Sequence, residues 1–169
     1  MLYDLLKSCV SIFFNILNKL LGGKLPPFAS ASIIVEEQDH YLVVQLPRGR
    51  VAFPGDFSTW QEMPAETAMR EGKEETGYDL RIEGFVGYYP RLTKKMTAMS
   101  TISMVYTADI VGGELRNNIE GRPCWMHESE LRQCLDEHSL QILDDYLSYR
   151  AERRAKYARI TTRVLSLVS

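Results

Sequence analysis

The strongest constraint on this chain lies between Glu62 and Gly77. Glu71, Glu74 and Glu75 are spaced by three and four residues, so on a helix their side chains share one stripe of surface. Like charges placed this way destabilise a helix, by up to about 0.5 kcal/mol for each exposed pair. Helix stability therefore does not account for them. A hard divalent cation, which takes oxygen ligands, does, and magnesium or manganese is the expected occupant. The segment itself is predicted to be helical: Pro64 suits a first turn and Gly77 suits the left-handed residue that ends a helix. Ala65, Ala68 and Met69 supply an apolar side away from the carboxylates. Gly72 is the anomaly, because an interior glycine costs about 1 kcal/mol relative to alanine; it predicts the close approach of another stretch of backbone. Arg70 is placed to pair with Glu74 or, through the turn before the helix, with Glu62.

A glutamate-rich helix face is by itself most often solvated surface. The wider spacing argues otherwise. Glu62, Arg70-Glu71, Glu74-Glu75, Gly77 and Tyr78, preceded by Phe53-Pro54-Gly55, together resemble the box of the Nudix hydrolases. Two positions depart from that box: Asp56 stands where a glycine is expected, directly after Gly55, and Gly72 replaces a bulky aliphatic residue. The resemblance covers roughly Ala29 to Leu147. It implies an α+β fold, the Nudix-type α/β/α sandwich with a mixed sheet. It also implies a Mg2+-dependent hydrolase (Mn2+ as the alternative ion) that splits a phosphoanhydride in a nucleoside diphosphate linked to another moiety. In such chemistry the metal neutralises phosphate charge and lowers the pKa of an attacking water.

By the same resemblance Glu71, Glu74 and Glu75 are metal ligands, Gly55 offers a backbone carbonyl, and Glu120 lies where some members place a further acidic ligand. Glu71 or Glu75 takes the proton from water, Arg70 orients Glu71, and Glu62 braces the loop or reaches the metal through water. The departures at Asp56 and Gly72 leave a second reading open, a catalytically weak nucleotide-sensing module attached to a membrane surface. The substrate in either case is a nucleotide-derived small molecule. Arg48, Arg50, Arg91, Lys94 and Lys95 fall in two loops expected near the site and are suited to phosphates. Tyr88, Tyr89 and Trp60 are suited to stacking on a base.

The 169 residues, 45% hydrophobic and 25% charged, are enough for one well-buried core. A net charge of −2 excludes a general basic field for nucleic acid but leaves a local patch open. Cys9, Cys124 and Cys134 form no CxxC pair and no disulfide rhythm, so a reducing, cytoplasmic setting is expected, with the cysteines serving packing. Strands are predicted at Ser30 to Val35, Tyr41 to Leu46, Leu80 to Tyr89 and Thr101 to Ile110, with a short piece at Pro123 to Met126. Helices are predicted from Glu128 to Cys134 and from Ser139 to Arg159.

The ends fall outside the resemblance. The sequence divides into an N-terminal segment 1–24, a central domain 29–147 and a C-terminal segment 148–169, with Gly22-Gly23 and Pro26-Pro27 as the first linker. Polar residues recur at three or four through the first segment, which predicts an amphipathic helix rather than a membrane span. It has three placements: packed on the domain, buried in a homodimer, or lying on a membrane surface as a peripheral contact. A signal peptide cut near Ala29-Ser30-Ala31 is the competing reading, and it would remove the start of the first strand. The last segment carries Arg150, Arg153, Arg154, Lys156, Arg159 and Arg163 with only Glu152 against them. It reads as a basic helical tail suited to anionic lipid or nucleic acid.

Overall fold

A computed structural model of the chain describes residues 2–117 and 121–168, with the backbone alone for 2–4, 7, 48 and 157–168. In order, the elements are α1 (Leu2–Leu20), β1 (Phe28–Ile34), β2 (Glu36–Glu37), β3 (His40–Gln45), a 3-10 turn (Pro47–Gly49), β4 (Val51–Ala52) and β5 (Gly55–Phe57). There follow α2 (Pro64–Thr76), β6 (Tyr78–Arg91), β7 (Thr101–Gly113), β8 (Arg122–His127), α3 (Glu128–Cys134) and α4 (Glu137–Val168). One four-stranded sheet runs β5-β1-β7-β6, with β1 parallel to β7 and the other pairs antiparallel. In a second sheet β3 pairs antiparallel with β8, and also with β2 and β4.

Alternation along β1 and β3 separates two cores, because successive side chains point to opposite faces of a strand. Ala31, Ile33, Val35 and Leu42 pack with Ala68 of α2 and with Leu80. Ile34, Tyr41 and Val43 pack the other way, against Leu131 of α3 and Ile142, Leu143 and Tyr146 of α4. Helices thus cover both faces of a mixed sheet layer, the α/β/α sandwich expected of the sequence. Tyr41 to Val44 are all buried and form an unbroken apolar run, which follows from having helices on both sides.

The start of β1 follows the sequence reading, whereas the C-terminal segment and two of the cysteines differ from it. Residues 29–31 lie inside β1, paired with both β5 and β7. The residues proposed as a basic tail belong to the continuous helix α4, and two of its arginines are engaged by the domain. Arg150 pairs with Glu36 and, at 3.2 Å, with Asp39, while Arg153 lies 3.2 Å from Glu83. Tyr146 reinforces this anchor by donating its hydroxyl to Glu36 at 2.7 Å. Of the cysteines, Cys9 and Cys134 are exposed and only Cys124 is half-buried, so packing does not explain the first two.

Candidate active site

The helix that carries the carboxylates is fixed at both ends by its own sequence. Glu66 reaches back to accept from the Met63 backbone N–H at 2.9 Å, and Pro64 occupies the first turn. Gly77 closes the helix at φ +85°, and its N–H donates to the Lys73 carbonyl at 2.8 Å. Between these caps Thr67, Ala68, Gly72 and Thr76 face the sheet. A side chain on Gly72 would lie 2.5 Å from Leu80 Cδ1 and 3.3 Å from Ile33 Cγ2. The neighbour that Gly72 accommodates is therefore a pair of side chains, not the backbone strand the sequence suggested. Leu80 fills the space that a bulky residue at position 72 would otherwise take.

The carboxylate stripe is not uniform. Glu71 and Glu75 are each 7% exposed, while the Glu74 side chain is more than half exposed. Arg70 ties the group together. Its Nε and Nη2 donate to the two oxygens of Glu62 at 2.7 and 2.9 Å, and its Nη1 donates to Glu71 at 2.5 Å and to Glu74 at 3.2 Å. Both pairings foreseen for Arg70 form, alongside its bond to Glu71. Glu62 also accepts from the Thr59 hydroxyl at 3.1 Å and the Thr67 hydroxyl at 3.0 Å. The Arg70 guanidinium, with these hydroxyls, holds the Glu62 carboxyl down at about 2. Glu71 moves the other way: burial raises its pKa, Arg70 opposes the rise, and Asp56 and Glu74 add to it.

Glu75 secures the loop in front of the helix by accepting from the Gly55 N–H at 2.8 Å. Gly55 opens β5 directly opposite Ser32 of β1, at φ +150°. A Cβ there would sit 2.2 Å from the Ala31 carbonyl oxygen, so only glycine fits. The departure at Asp56 thus leaves the tight approach intact, because Gly55 carries it. Asp56 instead adds negative charge beside Glu71.

As they stand, Glu71 and Glu74 converge on Arg70, and among the described residues no three acidic, histidine or cysteine side chains are arranged to hold a metal ion. The donor set nevertheless suits magnesium or manganese. It is oxygen throughout, and Glu71 is buried beside Asp56 and Glu74, a crowding of negative charge that a divalent cation relieves.

Two cavities share a border, and the first of them adjoins this helix. One of about 540 Å³ is lined by Lys73, Glu74, Arg116 and Asn117. Another of about 670 Å³ is lined by Leu46, Val51 and Met126, with Gln45, Asn117 and Arg122 as polar groups. Asn117 borders both, so they meet at one side chain. The second has the size and the mixture of apolar walls and few polar groups typical of small-molecule sites.

The chain matches the NUDIX domain model over residues 26–146. It belongs to the Nudix family. An ADP-ribose pyrophosphatase from Methanocaldococcus jannaschii is 26% identical over 131 residues, which is 75% of this chain and 76% of that protein. A NUDIX hydrolase from Nitrosomonas europaea superposes with a TM-score of 0.65 at 21% identity, covering 73% of this chain and 90% of the other. A bifunctional NMN adenylyltransferase/ADP ribose pyrophosphatase from Francisella tularensis, complexed with AMP and a manganese ion, gives 0.62 at 19% identity, covering 87% of this chain and 48% of that one. At such identities the structural likenesses establish a shared fold. The family establishes the enzyme class, a Nudix pyrophosphohydrolase.

The residues expected to bind substrate are less well gathered. Arg50 is exposed on the loop before β4, between Gly49 and Val51, which line the larger cavity. The side chain of Arg48, and Glu120 altogether, lie outside the described residues. Arg91 is paired with Asp136. Lys94 is exposed on the β6–β7 loop that seats α1. Tyr89 is 5% exposed and packs in the core with its ring edge-on to His138, bordering a cavity on the side of β6 and α4. The sequence reading passed over Asn117 and Arg122. Their signal was a polar stretch after the Gly112-Gly113 turn that ends in a charged residue at the head of a strand.

Proposed function

We propose that this Nudix enzyme hydrolyses the phosphoanhydride of an ADP-ribose-like nucleoside diphosphate sugar in a reaction that depends on Mg2+ or Mn2+. The observation that carries the proposal is that Glu74, one of the carboxylates bound by Arg70, lines a cavity that shares Asn117 with a second, ligand-sized one. The relative named for ADP-ribose supports the choice of substrate class.

In this reading Glu71, Glu74, Glu75 and the Gly55 carbonyl hold the metal. When bound, the cation offsets diphosphate charge and acidifies the attacking water. Glu71 or Glu75 receives the proton that water loses, a reading supported by the burial of both and by their fixed partners. Arg70 keeps Glu71 and Glu74 side by side, and Glu62, itself held by Thr59 and Thr67, keeps Arg70 in place. Arg122 and Arg116 supply positive charge at the two cavities, where a diphosphate requires it. Leu46, Val51 and Met126 offer the apolar walls that a base or sugar face fills.

The test is turnover of ADP-ribose, UDP-glucose, nucleoside triphosphates and dinucleoside polyphosphates with Mg2+, with Mn2+ and with EDTA. The expected result is metal-dependent release of AMP and a sugar phosphate from ADP-ribose in preference to the rest. Absence of metal-dependent cleavage across the panel would overturn the proposal, and cleavage confined to triphosphates would overturn its substrate class.

A further inference from the structure

Helix α1 is docked with its polar side toward the protein. An amphipathic helix of a globular domain normally turns its apolar face to the core. Here Ser11 is 4% exposed, and the Asn15 side-chain amide donates to the Met96 and Ala98 carbonyls at 3.0 and 2.9 Å. Asn18 accepts from the Leu25 N–H at 3.0 Å, which folds the glycine turn back along the helix. Phe14 meets Phe28 edge-on and completes the seat. The opposite side is apolar and open. Leu5, Leu6, Val10, Phe13, Ile16 and Leu20 fall within an arc of about 140° on a helix of 3.6 residues per turn. Their exposures reach 61% at Leu6, 62% at Phe13 and 79% at Leu20. Leu92 and Met96, 74% and 47% exposed, extend the apolar surface from the loop that seats the helix.

The border of this surface is basic. Lys19, Lys24, Lys94 and Lys95 are all exposed around it. Asp4 is the only acid in residues 1–27 and 92–100, although the whole chain carries a net charge of −2. We infer that this face docks on an anionic lipid surface, with α1 lying in the headgroup plane, its apolar arc toward the acyl chains and the lysines on lipid phosphates. Two observations favour lipid over a second copy of the chain. The arc is wider than the narrow seam a helix pair buries, and a two-fold contact through one shared patch would bring its lysines toward each other. No helix among the described residues is long and apolar enough to cross a membrane, so the contact is with the surface.

The experiment is flotation of the full chain with vesicles of equal parts phosphatidylglycerol and phosphatidylcholine, against vesicles of phosphatidylcholine alone. Wild-type protein should float with the anionic vesicles, and Leu6→Glu/Phe13→Glu should reduce its partition at least about tenfold. Both side chains are exposed, so the circular dichroism spectrum and Tm should not change. Lys19→Glu/Lys95→Glu, or high salt, should weaken binding in the same direction. A readout free of any folding concern is a polarity-sensitive dye on Cys9, which is exposed on the same helix, in a Cys134→Ser background. Its emission should shift to the blue when anionic vesicles are added. Failure to float, equal binding by the Leu6→Glu/Phe13→Glu variant, or an unmoved dye spectrum would overturn the inference. So would a wild-type dimer in sedimentation that this variant splits without any vesicle binding.

Discussion

Replacing Arg70 by glutamine removes the cation that three carboxylates share, and the structure allows the loss to be apportioned. The bidentate contact with Glu62 is the largest part, because both bonds are short and the Glu62 side chain is only 14% exposed. With the arginine side chain itself 30% exposed, this limb contributes about 1.5–2 kcal/mol. The bond to Glu71 adds roughly 1 kcal/mol, limited by that carboxyl's own cost of burial. The exposed contact with Glu74 adds less than about 0.5 kcal/mol. The expected destabilisation is therefore about 2.5–3.5 kcal/mol, or roughly 5–14 °C in Tm for a chain of this length. Urea denaturation measures it, and a cycle with Glu62→Gln should return a coupling of about 1–2 kcal/mol. The same pair sets a pH dependence. Arg70 holds the folded Glu62 carboxyl at about 2, below its ordinary 4.5. A depressed carboxylate stabilises the fold above the unfolded value, and that stabilisation is lost as pH falls from 4.5 toward 2. Wild type and Arg70→Gln should accordingly converge in stability on acidification across that window. Curves that stay parallel, or a variant within about 0.5 kcal/mol of wild type at neutral pH, would refute the apportionment.

Three further outcomes follow from single contacts. Glu75→Gln keeps an acceptor for the Gly55 N–H, so Tm should stay within about 3 °C of wild type, while steady-state kinetics should show kcat lower by about 10²–10⁴-fold. Gly55→Ala places a methyl group 2.2 Å from the Ala31 carbonyl oxygen at a φ that side chains avoid; a loss of at least about 3 kcal/mol is expected, read as a collapse in soluble yield or in Tm. Tyr146→Phe leaves Glu36 to Arg150 alone and should cost about 1–2 kcal/mol in urea denaturation, with turnover unchanged.

What could be read from the sequence divides along a physical line. The strands and helices of the sandwich announce themselves because each has its own period and its own punctuation. Tyr41 to Val44 form a run of buried residues, and Pro64 and Gly77 bracket α2. Contacts between elements carry no such local mark. Nothing near Arg150 or Arg153 shows that Glu36 and Glu83, more than a hundred and about seventy residues away, will take their charge. Tyr89 follows exposed Tyr88 in sequence, and which of the two turns inward depends on strand register, so naming the pair did not separate platform from core. Helix α1 shows the same limit most clearly. Its amphipathic period was plain, but the face that docks is fixed by partners for Asn15 that lie eighty residues on.

The same division explains why the reaction is better defined than its substrate. The groups proposed to act on a phosphoanhydride lie within one helix and its leading loop, so a single stretch of sequence fixes their spacing and the Gly55 contact registers that loop against β1. The groups proposed to choose the rest of the molecule come from separate places: Leu46 and Val51 flank the 3-10 turn, Asn117 sits on the β7–β8 loop, and Arg122 and Met126 lie on β8. These have no common period and meet only through the pairing of β3 with β4 and β8. Exchanging residues along that wall should change which nucleotide is cut while leaving metal dependence alone, whereas changes to the Arg70 cluster should lower turnover on every substrate together.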